Sequence, residues 1–216
     1  GNFTILGDGR ATFIGEHINN KNKRYDIQLK GSGKTPYSRN GDGKGTLKSM
    51  LREYIVSESM HNLNINTTRS LSIIKTGEKI FRNGYEEGGI LVRVAKSHIR
   101  VGTFQLASLS KEKKDIEELT EYSIKRLYPE ISQNDDRYLE FYKKVVEDQI
   151  KLIVEWQRVG FIHGVMNTDN MALSGETIDY GPCAFLDEYS PNKVFSSIDQ
   201  NGRYAFNNQP RIALWN

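Results

Sequence analysis

The sequence has 216 residues, 30 Lys and Arg against 27 Asp and Glu for a formal net charge of +3, and a single cysteine. Apolar residues at 37% and charged residues at 26% are globular usage and exclude a disordered chain. No apolar run approaches the ~18 residues of a membrane helix, and lone Cys183 excludes an internal disulfide and fits a reducing compartment. Charges of both signs are interspersed, so the small positive excess gives no case for a nucleic-acid partner. The start Gly1-Asn2-Phe3-Thr4 carries no secretory signal, which reads as cytoplasmic.

In chain order, Phe3-Thr4-Ile5-Leu6 and Ala11-Thr12-Phe13-Ile14 are β-rich runs about a Gly7-Asp8-Gly9-Arg10 turn. Tyr25-Asp26-Ile27-Gln28-Leu29-Lys30 alternates and predicts a strand. Five glycines (31, 33, 41, 43 and 45) follow, which predicts a flexible loop after it. Leu47, Met50, Leu51, Tyr54 and Ile55 recur at the spacing of one buried helical face. Further strands are expected at 70–76, 80–81 and 90–94. Beyond about residue 105 the pattern turns helical. Ile116, Leu119, Ser123 and Leu127 mark a helix that stops before Pro129, and a longer helix runs from Tyr138 to Trp156 and ends by Gly160. Two short apolar runs, Met171-Ala172-Leu173 and Thr177-Ile178, then flank a Ser174-Gly175-Glu176 turn. The expectation is an α+β chain: a β-rich lobe with one main helix over 1–105 and a mainly helical lobe over 106–216.

Asn170 and Asp179 flank that second hairpin, with Asp169 beside Asn170. Hard oxygen donors so placed suit a Mg²⁺ that also holds phosphates, and the same residues serve equally as turn caps. His163 to Asn170 has the length of the protein-kinase catalytic loop and keeps its first and last residues. Val165, however, stands where a kinase has its catalytic aspartate and cannot accept a proton. Asp179-Tyr180-Gly181 stands where Asp-Phe-Gly would. Lys30 ends a strand and Glu53 follows 23 residues later on the helix, as in a phosphate-orienting lysine–glutamate pair. Both are also common surface residues, and Glu58 lies nearer the centre of the apolar face, so periodicity does not choose between the glutamates. Gly7-Asp8-Gly9-Arg10 has the place of a phosphate loop without completing G-x-G-x-x-G, and by itself is a hairpin turn. Arg93 and Arg100 offer guanidinium forks suited to phosphate, although two arginines on a strand are ordinarily solvated. His163 reads as a packed histidine that supports its loop, and Cys183 as buried rather than reactive.

Taken together, Gly7-Asp8-Gly9-Arg10-Ala11, Asp26-Ile27-Gln28-Leu29-Lys30-Gly31-Ser32-Gly33, Thr35-Pro36-Tyr37-Ser38-Arg39, Leu51-Arg52-Glu53, Val101-Gly102-Thr103-Phe104, the run from His163 to Met171 and Asp179-Tyr180-Gly181-Pro182-Cys183 resemble the selenoprotein O family. The resemblance covers nearly the whole chain. It implies a protein-kinase-like α+β fold that transfers AMP, not phosphate, from ATP to Ser, Thr or Tyr hydroxyls of proteins, with ATP inverted relative to kinases. It further implies that Gly7, Gly9, Arg10, Asp42 and Gly43 line the nucleotide site and that Lys30, oriented by Glu53, contacts phosphates. Arg93 and Arg100 would hold the γ-phosphate, Asn170 and Asp179 would bind Mg²⁺ (or Mn²⁺), with Asp179 also at the nucleotide, and Asp169 would be the proton acceptor. The implied partners are ATP and acceptor proteins, with no nucleic acid and no membrane. Family members are longer at both ends, so the chain reads as a truncated member, and the selenocysteine or cysteine near the end of some members has no counterpart here. A nucleotide-binding module without catalysis and a protein kinase, which Val165 disfavours, stay open as other readings.

Overall fold

The computed structural model describes residues 8–110 and 112–216, so Gly7 and the strand expected at Phe3-Thr4-Ile5-Leu6 lie outside the described residues. The architecture is mixed α+β, and the chain divides into two units, Gly1–Lys96 and Ser97–Asn216.

In the first unit an antiparallel sheet is built from β1 (Ala11–Ile18), β2 (Arg24–Lys30), β3 (Gly45–Thr46), β4 (Arg69–Phe81) and β5 (Tyr85–Ala95). β5 is its centre. It pairs with β4 on one edge, and on the other with β2 through Leu91–Ala95 and with β3 through Gly88 and Gly89. The helix α1 (Leu47–Asn62) starts where Thr46 Oγ1 accepts from the Ser49 N–H at 3.3 Å, a side-chain cap on an otherwise unsatisfied donor. Side chains alternate across a strand, and on β2 the buried set is polar: Asp26, Gln28 and Lys30.

That polar face corrects the expected orientation of α1. The buried residues of α1 are Met50, Glu53, Ser57 and Met60, whereas Leu51 and Ile55 are 43% and 61% exposed. The helix turns toward the sheet the face that can satisfy its charges. Glu53 reaches Lys30, and the Ser57 and Ser70 hydroxyls meet at 2.9 Å. A buried ammonium left unpaired would cost more than two leucine-sized side chains left in water. The glycine-rich loop is also tied by hydrogen bonds. Gly33 N–H donates to Gly43 O, Gly45 N–H donates to Gly31 O, and the hydroxyls of Thr35 and Ser38 donate to the carbonyls of Asp8 and Gly9. Gly31, Gly43 and Gly45 serve close approach. Gly43 has φ +68°, and a Cβ there would fall 2.0 Å from Gly33 O.

Glu58, the other glutamate the sequence offered, faces outward and is held by Arg69 through Nε at 2.8 Å and Nη2 at 2.7 Å, with the Ser70 N–H also donating to it. The Arg69 guanidinium holds its carboxyl below the ordinary value. A depressed folded pKa contributes stability above the unfolded pKa of about 4.3, lost as pH falls through the folded value. Glu58→Gln is therefore expected to cost about 0.5–1 kcal/mol at pH 7 and nearly nothing well below pH 4. Urea melts at the two pH values check this; an equal cost at both would remove the carboxylate from the account.

The second unit contains α2 (Val101–Leu109), α3 (Lys113–Leu127), α4 (Arg137–Arg158), a two-stranded pair β6 (Phe161–Ile162) and β7 (Ala184–Phe185), and α5 (Gln209–Trp215). The helices α3 and α4 fall where periodicity places them; α2 was not expected. Ile124, Tyr128, Ile131, Phe141 and Leu173 form one core cluster. Within it the Tyr128 hydroxyl donates to Asp148 at 2.9 Å, and burial together with that bond pushes the phenol well above its ordinary value. α4 ends before Gly160, whose φ of +68° suits glycine. Among the described residues no helix is long and apolar enough to cross a membrane.

Candidate active site

In the first unit the strand pairing sets Gln28 opposite Arg93, which puts both on one face of the sheet, and Lys30 lies two residues along that face. All three are buried. Glu53 of α1 closes the group: Lys30 Nζ lies 2.6 Å from its Oε2, and Arg93 donates through Nε at 2.8 Å and through Nη2 to Oε1. Arg93 Nη1 also donates to Gln28 Oε1 at 3.2 Å, and Gln28 Nε2 donates to Asp8 at 2.6 Å. The structure thus chooses Glu53 over Glu58 as the partner of Lys30. Arg93 is not solvated but 1% exposed, with three of its five N–H donors given to an internal carboxylate and amide. Charge-assisted bonds of this kind hold an ammonium and a guanidinium in fixed directions.

A cleft of about 590 Å³ in the same unit is lined by Gly9, Arg10, Asp42, Gly43 and Arg82, among others. Four of the residues singled out from the sequence are therefore gathered in one concavity, and Lys30, Glu53 and Arg93 are not among those lining it. Asp42 is clamped by Arg82, with Nη1 to Oδ2 at 3.0 Å and Nη2 to Oδ1 at 2.8 Å, while the same guanidinium donates to the carbonyls of Lys44 and Phe81. That fork lowers the Asp42 carboxyl below its usual range.

In the second unit Arg100 is the residue before α2 and is 8% exposed, so it is neither on a strand of the sheet nor solvated. Its backbone pairs with Ala172, and its N–H donates to Thr103 Oγ1 at 3.1 Å. His163 is wholly buried, stacked on Trp156 with ring centroids 5.4 Å apart. Its Nε2 lies 2.8 Å from Ile178 O while Nδ1 faces the Val165 N–H at 3.4 Å, which assigns the proton to Nε2. Trp156 Nε1 donates to Thr177 at 2.9 Å, so one histidine and one tryptophan bind the 163–170 loop to the strand that leads into Asp179. Met171 pairs with Thr177 as a bridge around Gly175, the hairpin the sequence predicts.

Across residues 161–180 every side chain is buried except those of Val165, Asn167, Asp169, Asn170 and Asp179, which are partly exposed. Asn170 Nδ2 donates to Val165 O at 2.9 Å, which orients the amide. Asp179 has φ +68°, a left-handed conformation that Asp and Asn tolerate better than other side chains. Among the described residues no group of three or more His, Cys, Asp or Glu is gathered for a metal. One carboxylate and one amide oxygen are nonetheless the kind of donor set that Mg²⁺ combines with substrate phosphate and water.

Sequence reasoning missed Gln28, Arg82 and Gln105, the last taking a hydrogen bond from Thr168 Oγ1 at 2.6 Å. Gln28 was findable: it sits at i−2 from Lys30 and so shares its face. Arg82 was not, because it lies 40 residues from the aspartate it clamps.

Comparison with known proteins gives first the class. Over all 216 residues the chain is 60% identical to "Protein nucleotidyltransferase YdiU" of Clostridium perfringens (strain 13 / Type A) and 62% identical to the protein of the same name from Nitrosococcus oceani. The matches cover 100% of this chain and 44% of each relative, so the chain spans less than half their length. Residues 1–216 match the family "Protein adenylyltransferase SelO", and the chain belongs to that family of nucleotidyltransferases.

Proposed function

We propose that this chain carries the nucleotide-handling core of a protein adenylyltransferase of the bacterial cytoplasm, which moves AMP from ATP to Ser, Thr or Tyr hydroxyls of proteins within a kinase-like two-lobed fold. The observation that carries the reading is the pattern of exposure over residues 161–180. Asp169, Asn170 and Asp179 are partly exposed there, together with Val165 and Asn167, while every other residue of the span is buried.

In this reading Lys30, held by Glu53, contacts the phosphates of ATP, and Gly9, Arg10, Asp42 and Gly43 line the nucleotide site together with Gly7. Arg93 and Arg100 hold the terminal phosphate. Guanidinium groups there stabilise departing pyrophosphate, whereas a kinase presents its γ-phosphoryl to the acceptor. Asn170 and Asp179 hold Mg²⁺, which when bound offsets charge on the phosphates. Asp169 accepts the proton of the acceptor hydroxyl as that oxygen bonds to the α-phosphorus and the bond from the α-phosphorus to the α–β bridging oxygen breaks. Val165 at the kinase base position cannot do this, and positioning with charge neutralisation carries most of such a reaction.

Incubation with an acceptor protein, Mg²⁺ and ATP labelled at either the α- or the γ-phosphate tests the reading. Protein label from the α-phosphate alone is expected. Label from the γ-phosphate alone would establish a kinase, and none from either a binding module.

A further inference from the structure

The segment that enters α2 is sewn to the loop bearing Asp169 along its length. Leu173 N–H donates to Ile99 O at 3.0 Å, Val101 N–H donates to Met171 O at 3.0 Å, and Thr168 Oγ1 donates to Gln105 Oε1 at 2.6 Å. Gly102 is the second residue of α2 and is buried. A Cβ at Gly102 would stand 2.7 Å from Asp169 Oδ1, a separation real Cβ atoms do not show, but 3.4 Å from Asp169 N and from Thr168 C, which is ordinary contact. Alanine is the better helix former, so helix formation gives no reason for glycine here. Nor does backbone conformation, because Gly102 is not among the glycines with positive φ. The remaining cause is room for one carboxylate oxygen.

We propose that Gly102 is a positioning residue for Asp169: the missing side chain at the start of α2 leaves the place in which the Asp169 carboxylate lies. The proposal rests on Asp169 as proton acceptor and adds what sets its position. The loop backbone is held by the hydrogen bonds above, so an added methyl group displaces the carboxylate, not the chain. Misplacement of a proton acceptor by about 1 Å costs on the order of 10²-fold in rate, because proton transfer needs hydrogen-bond reach in the transition state.

Gly102→Ala, made in the full-length protein, is expected to lower kcat for AMP transfer roughly 10- to 100-fold with KM for ATP within about twofold. In the Asp169→Asn background the same change should lower the residual rate no further. A crystal structure of Gly102→Ala is expected to show the Asp169 carboxylate moved while the backbone of 167–170 superposes on the parent. An unmoved carboxylate, a rise in KM at unchanged kcat, or independent multiplication of the two rate losses would each overturn the proposal. Full transfer by Asp169→Asn alone would instead reject the proton-acceptor assignment, and the crystal structure would still report on the contact. Should Gly102→Ala fail to fold, the pair Gly102→Ala/Asp169→Ala removes the obstructing oxygen and is expected to fold; failure of the pair places the conflict in the backbone and overturns the proposal.

Discussion

Asp179→Asn is expected to lose metal-dependent AMP transfer by on the order of 10²–10³-fold while keeping the melting temperature of the parent. The variant removes a charge from the proposed metal site without disturbing its frame. Asn tolerates the left-handed conformation that Asp179 holds at φ +68°, so the hairpin keeps its shape. Asp179→Ala is expected to lose the same activity and some stability as well, since alanine in that conformation costs roughly 1–2 kcal/mol. Comparing the two separates chemistry from backbone strain. The measurement is transfer of α-labelled nucleotide across a Mg²⁺ titration; activity retained by the Asn variant at every metal concentration would reject Asp179 as a ligand.

Glu53→Ala is expected to have the largest effect on stability. Lys30 and Glu53 are 6% and 2% exposed at their side chains, and Arg93 shares the same carboxylate. Removing one member of a buried ionic group strands the others, at a cost of about 3–5 kcal/mol. For a chain of this size that is a fall of roughly 6–20 °C in melting temperature. The exposed-side glutamate is the internal control, because Glu58→Gln is expected to cost several-fold less. Thermal melts of both variants at neutral pH decide the matter. Equal losses would mean that the Lys30–Glu53 pair is no more than a surface contact in energetic terms.

Much of the fold was legible in the amino-acid order because local signals and tertiary packing agree there. α3 and α4 show a 3.6-residue repeat ended by a proline and a glycine, and the segments at 70–76, 80–81 and 90–94 fall within β4 and β5. α1 was legible as a helix but not in its orientation. Leu47, Leu51 and Ile55 form the more regular apolar stripe, and the helix instead buries Met50, Glu53, Ser57 and Met60. Periodicity assumes that the apolar face is the inner one. It fails where the sheet buries Lys30 and Arg93, whose charges are met by Glu53 on the helix. The loop over 31–45 failed for a related reason. Its glycines signalled freedom, but the close approaches of Gly31 to Gly45 and Gly89 and of Gly43 to Gly33 join residues too far apart for a linear reading to see.

One cysteine and a net charge of +3 over 216 residues exclude an internal disulfide scaffold and give no case for nucleic acid. The ordered motifs from Gly7 to Cys183 were specific enough to indicate the family before any coordinates. The residue types that carry chemistry are written in the chain, since a carboxylate or a guanidinium is a local property. Which of them meet is not local. The choice of Glu53 over Glu58, the burial of Arg93, the Arg82 clamp on Asp42 and the space kept by Gly102 beside Asp169 depend on distances of a few ångströms between residues 10 to 70 positions apart. Such distances are set by strand register, helix rotation and the satisfaction of buried charge, all of which exist only once the chain has folded.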